Sequence, residues 1–487
     1  MSAPFDRLPA DLVPQIFQYV PEQDRHSLTL VCKSLQAEAT KLLYCDVSFQ
    51  LHSYMGSPIT FRLLALFLRT IMDRPYLAEL IKVLIAYGPI FLLLPSKVNS
   101  QGRIRVRQIL SSKQLRTLSD HLISITNPDR GFMDTYDIVD VMLAFIVSKA
   151  VNVNYLTLSR NFMNFYTPET VGRLIELPVG TRLAFQKLQK VHLGIRHTTA
   201  PTNRPMLELM NPLFSLPNFA YLTLSGHAIY WTDYFSHIHS RTSSSLTELV
   251  LAYGSSISPE TVCQVLQFTS NLKKLTYDTY RDELKGKMLQ LNQALLLVRK
   301  TLESFKLMAS ACSFSEGVVS GSGPSLSSME MLMHVELPLF IALGRHELST
   351  ATLEHTLPAS LRSLTLGRGG MSGPDNNPAH PFKQTYYIDE ILRFLENKDT
   401  SALSLECRTL KLCPCQEFKH CPRESPLSIP DRSTLELLHK TASEQGVVFQ
   451  IEITGYGVPA DWKEIIPNDM PYLMIKSSIG DPNDPYY

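Results

Sequence analysis

The stretches LTELVL (246–251) and LKKLTY (272–277) share one pattern, with apolar residues at the first, fourth and sixth positions. Apolar and polar residues that alternate in this way are typical of a β-strand with one buried face. The same phrase recurs at VNYLTL (153–158), LQKVHL (188–193), FAYLTL (219–224), LESFKL (302–307), LMHVEL (332–337), LRSLTL (361–366), CRTLKL (407–412) and VFQIEI (448–453), with an outlying copy, LIKVLI, at 80–85. One such phrase would mean little, but ten copies predict a repeat architecture.

The spacing of the phrases favours a strand followed by a helix. Phrases that end at Leu193 through Leu366 recur every 26 to 31 residues. Apolar segments such as SPETVCQVLQFTS and LNQALLLVRKT lie between them, and Ser258 and Pro259 are expected to be the N-cap and first residue of a helix. Across residues 75–460 the pattern resembles irregular leucine-rich repeats, in which parallel strands line the concave face of a solenoid and helices its convex face. The fold class that this resemblance implies is α/β.

Composition limits the classes of protein to consider. The chain has 487 residues, too many for one ordinary hydrophobic core, and its net charge is +1, which gives no overall field for nucleic acid or anionic lipid. The longest apolar run, LIAYGPIFLLL (84–94), is too short to span a bilayer. No signal peptide is visible, and the eight cysteines are expected to be thiols in a reducing compartment. We therefore expect a soluble protein of the cytoplasm or nucleus, with no membrane partner.

A different pattern occupies the first 44 residues. In LPADLVPQIFQYV (8–20) apolar residues recur every fourth position, and in LTLVCKSLQAEATKLLY (28–44) at spacings of three and four, which predicts two amphipathic helices. If Asp11 is the N-cap of the first helix, Pro14 lies in the first turn, where a missing N–H costs no intrahelical bond. On this pattern alone, the segment could be a helical cap for the larger domain or a separate docking module.

Specific residues in this segment resemble the F-box, the three-helix module that docks on the Skp adaptor of cullin-based (SCF) ubiquitin ligases. The matching positions are Leu8-Pro9, Ile16-Phe17, Tyr19, Asp24, Val31-Cys32-Lys33 and Leu43-Tyr44. Two positions depart from the family pattern: Arg25 replaces a common leucine, and Leu35 replaces the usual tryptophan. The resemblance implies that Skp contacts come from Leu8, Pro9, Leu12, Ile16, Phe17, Leu30, Val31, Cys32, Lys33 and Leu35.

Taken together, the two resemblances imply a substrate receptor of an SCF ubiquitin ligase. The expected domains are an F-box at 1–48, a leucine-rich-repeat domain at 49–460 and a tail at 461–487. Two loops rich in small residues, 310–329 and 367–382, are expected within the repeat domain as insertions, recognition loops or phosphorylation targets. The alternative is a scaffold that binds Skp through the F-box without ligase assembly. The expected partners are Skp, through it cullin–RING, and a target protein that the sequence does not identify.

Strand geometry predicts where a target would bind. Because side chains alternate across a strand, the third, fifth and seventh residues of each phrase should lie on the concave face, opposite the apolar positions. This face would carry Tyr155, Thr157, Lys190, His192, Tyr221, Thr223, Glu248, Lys274, Asp278, Lys306, His334 and Glu336. Aromatic residues mixed with charges of both signs suit a protein partner better than a polyanion.

No catalytic motif is found in the chain. It has no Walker A sequence, no G-x-S-x-G and no H-E-x-x-H. GYGVPA (455–460) fits a dinucleotide fingerprint, but Pro459 would interrupt the helix that must follow. HIH (237–239) offers two histidines without a third ligand, and the basic stretch 102–116 is interpreted as a solvated helix face rather than a nucleic-acid site. The prediction is a non-catalytic protein without a cofactor.

One cluster of cysteines suits a metal by composition but not by spacing. Cys407, Cys413, Cys415, His420 and Cys421 lie within 15 residues, and thiolates with an imidazole suit zinc. The C-x2-C spacing of structural zinc sites is absent, and Cys407 and Cys413 lie on or beside a predicted strand. Clustered thiols are favoured over zinc or a disulfide, and no metal site is predicted.

Overall fold

The computed structural model describes residues 12–17, 19–31, 33–50, 58–87, 109–125, 136–159, 171–172, 175, 185–194, 212–225, 244–252, 257–280, 284, 286–310, 324–338, 341–342, 352–367, 384–397, 409–415, 432–455 and 473–477. The predicted loop at 367–382 lies outside these residues apart from Gly367, as do HIH (237–239), Cys407, His420 and Cys421.

Helices and strands alternate along most of the described chain. The helices are α1 (Leu12–Phe17), α2 (Glu22–Val31), α3 (Lys33–Cys45), α4 (Pro58–Asp73), a 3-10 helix (Pro75–Leu80), α5 (Ser112–Ile125), α6 (Tyr136–Lys149), α7 (Pro259–Leu266), α8 (Met288–Leu296), α9 (Leu353–Thr356), α10 (Gln384–Glu396) and α11 (Arg432–Glu444). The strands are β1 (Asp46–Gln50), β2 (Val83–Tyr87), β3 (Tyr155–Leu158), β4 (Lys190–Gly194), β5 (Tyr221–Ser225), β6 (Glu248–Ala252), β7 (Lys274–Tyr280), β8 (Ser304–Ser310), β9 (His334–Pro338), β10 (Ser363–Gly367), β11 (Thr409–Cys415), β12 (Val448–Gly455) and β13 (Leu473–Ser477).

The chain divides into two compact units. Unit 1 comprises 1–222 and 237–245, and unit 2 comprises 223–236 and 246–487. Among the described residues, no helix combines the length and apolar composition that a membrane crossing would need.

Within each unit the strands pair in parallel and in chain order. In unit 1, β1 pairs with β2, β2 with β3 and β3 with β4. In unit 2, β6 to β9 pair in succession, and β9 to β13 do the same. Parallel neighbours need a crossover between them, and helices supply it in several repeats, as between β6 and β7. The result is the α/β class predicted from the sequence.

The strand predictions are confirmed, with two additions and one correction. Each of the ten phrases contains or overlaps a strand, but β1 and β13 were not predicted. Strand β1 crosses the expected F-box boundary at 48, and β13 lies in the expected tail. LIKVLI (80–85) was placed one residue out of phase, because the buried residues of β2 are Leu84 and Ala86 while Val83 and Ile85 are half-exposed. The small side chain of Ala86 hid the true pattern, and a slip of one residue moves every side chain to the opposite face.

Hydrogen bonds between successive repeats fix their register. A polar side chain three residues before a strand donates to a backbone carbonyl of the preceding repeat at several repeats: Asn152 to Glu79 O (2.8 Å), Asn218 to Gln186 O (2.8 Å), Ser245 to Leu216 O (2.8 Å), Thr301 to Ser270 O (3.2 Å) and Ser360 to Leu332 O (2.9 Å). These bonds satisfy carbonyls at the turns that enter the strands.

The predicted helix starts are confirmed where they are described. Ser258 is the N-cap of α7, its hydroxyl accepts a hydrogen bond from the Thr261 N–H, and Pro259 is the first helical residue. The first helix begins at Leu12, so Pro14 lies in its first turn as expected, while Asp11 lies outside the described residues.

Candidate functional site

Three aromatic rings form a row across neighbouring strands of unit 1. The ring centroids of Tyr155 on β3 and His192 on β4 are 5.3 Å apart and nearly perpendicular, and those of His192 and Tyr221 are 5.0 Å apart. The Lys190 ammonium is 6.0 Å from the centroid of the Tyr221 ring, and its side chain is exposed. Edge-to-face rings and a cation near a ring face are both favourable arrangements.

Apolar side chains extend this row onto β2. Val83 lies beside Tyr155 in the sheet register and Ile85 lies beside Thr157, and both β2 residues are half-exposed. We call Val83, Ile85, Tyr155, Lys190, His192 and Tyr221 the aromatic patch. Val83 and Ile85 were missed from the sequence because their phrase had been placed one residue out of phase.

Lys190 carries the charge of the aromatic patch at neutral pH. Burial, helped by the nearby Lys190 ammonium, lowers the pKa of His192 to about 4, so its imidazole is neutral. A neutral imidazole has one ring nitrogen that donates a hydrogen bond and one that accepts.

Charges on the strands of unit 2 are paired with one another. Lys306 Nζ on β8 lies 2.9 Å from a carboxylate oxygen of Glu336 on β9, and Lys274 Nζ on β7 lies 4.0 Å from one of Glu248 on β6. All four side chains are partly exposed, so each pair contributes little to stability. The pairs nevertheless neutralise this strand surface locally.

Most of the predicted face residues reach the surface, but two do not. Lys190, Lys274 and His334 are exposed, and seven others are half-buried: Tyr155, Thr157, His192, Tyr221, Glu248, Lys306 and Glu336. Thr223 is only 2% exposed and Asp278 only 8%, which corrects the expectation that they lie open on the concave face. Alternation along a strand predicts which face a residue is on, but not what lies over that face.

The first three helices enclose a small core of their own. Phe17, Leu35 and Ala39 are buried together, and Leu28 and Leu42 pack against them. Helix α2 packs on α3, and α1 also contacts α3. Internal packing therefore accounts for the apolar stripe of the second stretch, 28–44, but not for Leu12 and Ile16 of the first.

Other large apolar residues of the same helices face outward. Leu12 and Ile16 of α1 are 38% and 43% exposed, Leu30 of α2 is 75% exposed, and Tyr19, in the turn after α1, is 81% exposed. So many exposed apolar side chains on a short module are typical of an interaction surface.

A family model describes this module. The model for the F-box domain matches residues 5–42, close to the 8–44 over which the sequence shows the resemblance. The chain carries an F-box domain. No curated protein matches the chain.

The predicted Skp contacts of the F-box fall into three groups in the structure. Leu12, Ile16, Leu30 and Lys33 are exposed. Phe17 and Leu35 are each 2% exposed, so they support the F-box from its interior instead of lying at its surface. Leu8, Pro9 and Cys32, and the side chain of Val31, lie outside the described residues. Tyr19 matched the family pattern but was omitted from the predicted contacts, although it is the most exposed of these apolar residues.

The F-box continues directly into the strands of unit 1. Helix α3 ends at Cys45 and β1 begins at Asp46, and the Cys45 carbonyl accepts a hydrogen bond from the Lys82 N–H before β2 (2.9 Å). The Tyr44 and Phe67 rings stack with centroids 6.0 Å apart, and Phe67 also meets Phe49 of β1 at 5.3 Å. The cap and docking interpretations are thus compatible, since α3 packs on the strand array while residues of α1 and α2 face outward.

The described residues add no support for the other candidate sites. Cys413 and Cys415 belong to β11, and their side chains are not among those that the structure describes. Lys113 and Arg116 of the basic stretch lie on α5. In the part of the chain that is described, no group of three or more His, Cys, Asp and Glu side chains is placed to hold a metal ion.

Proposed function

We propose that this chain is the substrate-recognition subunit of an SCF-type ubiquitin ligase. The observation that carries the proposal is the exposed apolar surface of the F-box domain, formed by Leu12, Ile16, Tyr19 and Leu30. In this proposal the surface docks on the Skp adaptor, with Leu8, Pro9 and Lys33 as further contacts. The chain itself performs no chemistry.

We further propose that the strand array is an irregular leucine-rich-repeat solenoid that captures the target protein. Parallel pairing in chain order, phrases every 26 to 31 residues and the repeated side-chain bonds to the preceding repeat support this assignment. Repeats of this kind stack on their neighbours and present an extended surface.

The mechanism is proximity. The adaptor would hold the F-box, the strand face would hold the target, and target lysines would then be kept near the ubiquitin donor at a high local concentration. A short connection between the two surfaces favours this role, because α3 passes into β1 without a linker.

Affinity purification tests the proposal. Tagged full-length chain should recover both Skp and cullin from cells, and Leu30→Ala should weaken the recovery of both. Leu63→Ala is the matched control, because Leu63 is also an exposed helical leucine (56%) but belongs to α4. Recovery of Skp without cullin would favour the non-ligase scaffold, and recovery of neither would refute both proposals.

A further inference from the structure

Among the described residues, the aromatic patch of unit 1 carries a lysine that has no ion-pair partner. Lys274 and Lys306 in unit 2 each lie within 4.0 Å of a glutamate on a neighbouring strand. Lys190 lies beside the Tyr221 ring instead, and among the residues that the structure describes it forms no ion pair. An exposed ammonium next to half-exposed rings can form a charge-assisted hydrogen bond with a carboxylate of a partner.

We infer that the aromatic patch binds an extended segment of the target protein through a carboxylate and a neighbouring apolar or aromatic side chain. The carboxylate pairs with Lys190, and the apolar side chain packs on Tyr155, His192 and Tyr221. This inference rests on the proposed function, since it specifies the chemistry by which the same receptor recognises its target.

Three features of the patch favour this ligand. Its rings are spaced at about the separation of neighbouring strands, so one side chain can contact two rings at once. The imidazole of His192 is neutral, so it places no second positive charge beside Lys190. Val83 and Ile85 extend the apolar surface on the β2 side.

The charge of the patch argues against a polyanion. Nucleic acid and phosphorylated motifs are bound by several cations acting together, often a cluster of arginines. Among the six residues of the patch, Lys190 is the one lysine or arginine, and His192 is neutral because burial lowers its pKa to about 4. One ammonium matches one carboxylate, so an unmodified acidic segment is the better partner.

The test is a selection of random peptides displayed on phage against the full-length chain, followed by binding of the best synthetic peptide measured by fluorescence anisotropy. We expect enrichment of Asp or Glu close to an aromatic or large aliphatic residue. Lys190→Glu should weaken the selected peptide at least about tenfold and should shift a new selection towards Lys or Arg. Tyr221→Ala should weaken the same peptide while keeping the acidic preference.

Lys149→Glu is the matched control, because Lys149 is an exposed lysine of unit 1 that lies on helix α6 rather than on the strands. Equal weakening by Lys149→Glu, or peptides without an acidic preference, would overturn the inference. So would a labelled oligonucleotide or a phosphorylated peptide that binds the patch more tightly than any acidic peptide. Skp recovery measured on the same preparations distinguishes the two proposals. If Skp binds and Lys190→Glu does not weaken peptide binding, only this inference is refuted. If Skp does not bind, only the ligase role is refuted.

Discussion

Replacing Leu30 by alanine separates docking from folding in the F-box. Leu30 is 75% exposed in the isolated chain, so about three quarters of its surface is available to a partner. Burying a whole leucine side chain contributes about 1.5–3 kcal/mol, so the part that docking would bury contributes about 1–2 kcal/mol. The quarter already buried should cost the fold less than about 1 kcal/mol on truncation.

The corresponding loss of Skp affinity is about 5- to 30-fold, since 1.4 kcal/mol is about tenfold in Kd. Titration of purified Skp into wild-type chain and the Leu30→Ala variant by isothermal calorimetry measures this change, and thermal melting of both proteins measures the effect on stability. Leu63→Ala, in which a leucine 56% exposed is truncated on α4, should leave Skp binding unchanged. Unaltered Skp affinity in Leu30→Ala would refute docking through this surface, and an equal loss in Leu63→Ala would show that the effect is not local.

Three further predictions address packing, titration and capping. Leu35→Ala should destabilise the F-box by about 2–5 kcal/mol, because Leu35 is only 2% exposed among Phe17 and Ala39, and hydrogen exchange of α1 to α3 would report the loss. The pKa of His192 is about 4 in the folded chain, below its ordinary 6.5. As the pH falls, the unfolded chain therefore takes up a proton at this residue before the folded chain does. The free energy of unfolding is highest above pH 6.5 and falls as the pH drops towards 4. With allowance for solvent screening of a partly exposed ring, denaturant unfolding at pH 7.5 and 5 should show about 1–2 kcal/mol of this loss, and His192→Gln should show correspondingly less. Ser258→Ala should cost about 1 kcal/mol through loss of the α7 cap, and an unchanged denaturation midpoint would show that the Thr261 contact contributes nothing.

The strands could be predicted because a half-buried strand leaves a period of two in the sequence. Leu249 and Leu251 of β6 show it clearly, since both are fully buried between half-exposed neighbours. The β1 segment has only Val47 and Phe49 on its buried face, too few to stand out from chance. In β2 the small side chain of Ala86 weakens the apolar alternation, so the buried face was assigned one residue out of register.

The candidate sites were predicted less completely, for a different physical reason. The F-box motif identifies its positions but does not separate core from surface, so Phe17 and Leu35 were grouped with the exposed Leu30. Thr223 and Asp278 lie on the predicted strand face yet are buried, because burial depends on residues that are distant in sequence. The pairing of Lys306 with Glu336, and the contrasting position of Lys190 among aromatic rings, likewise required the register of neighbouring strands.

Reconstitution from purified components tests whether the chain joins an SCF-type ligase. The full-length chain, Skp and a cullin–RING pair would be mixed and resolved by size-exclusion chromatography with light scattering. We expect one complex that contains each component once, and a smaller share of the chain in that complex for Leu30→Ala. Elution of the folded chain separately from Skp, at protein concentrations well above the Kd of a typical adaptor complex, would contradict the proposed role.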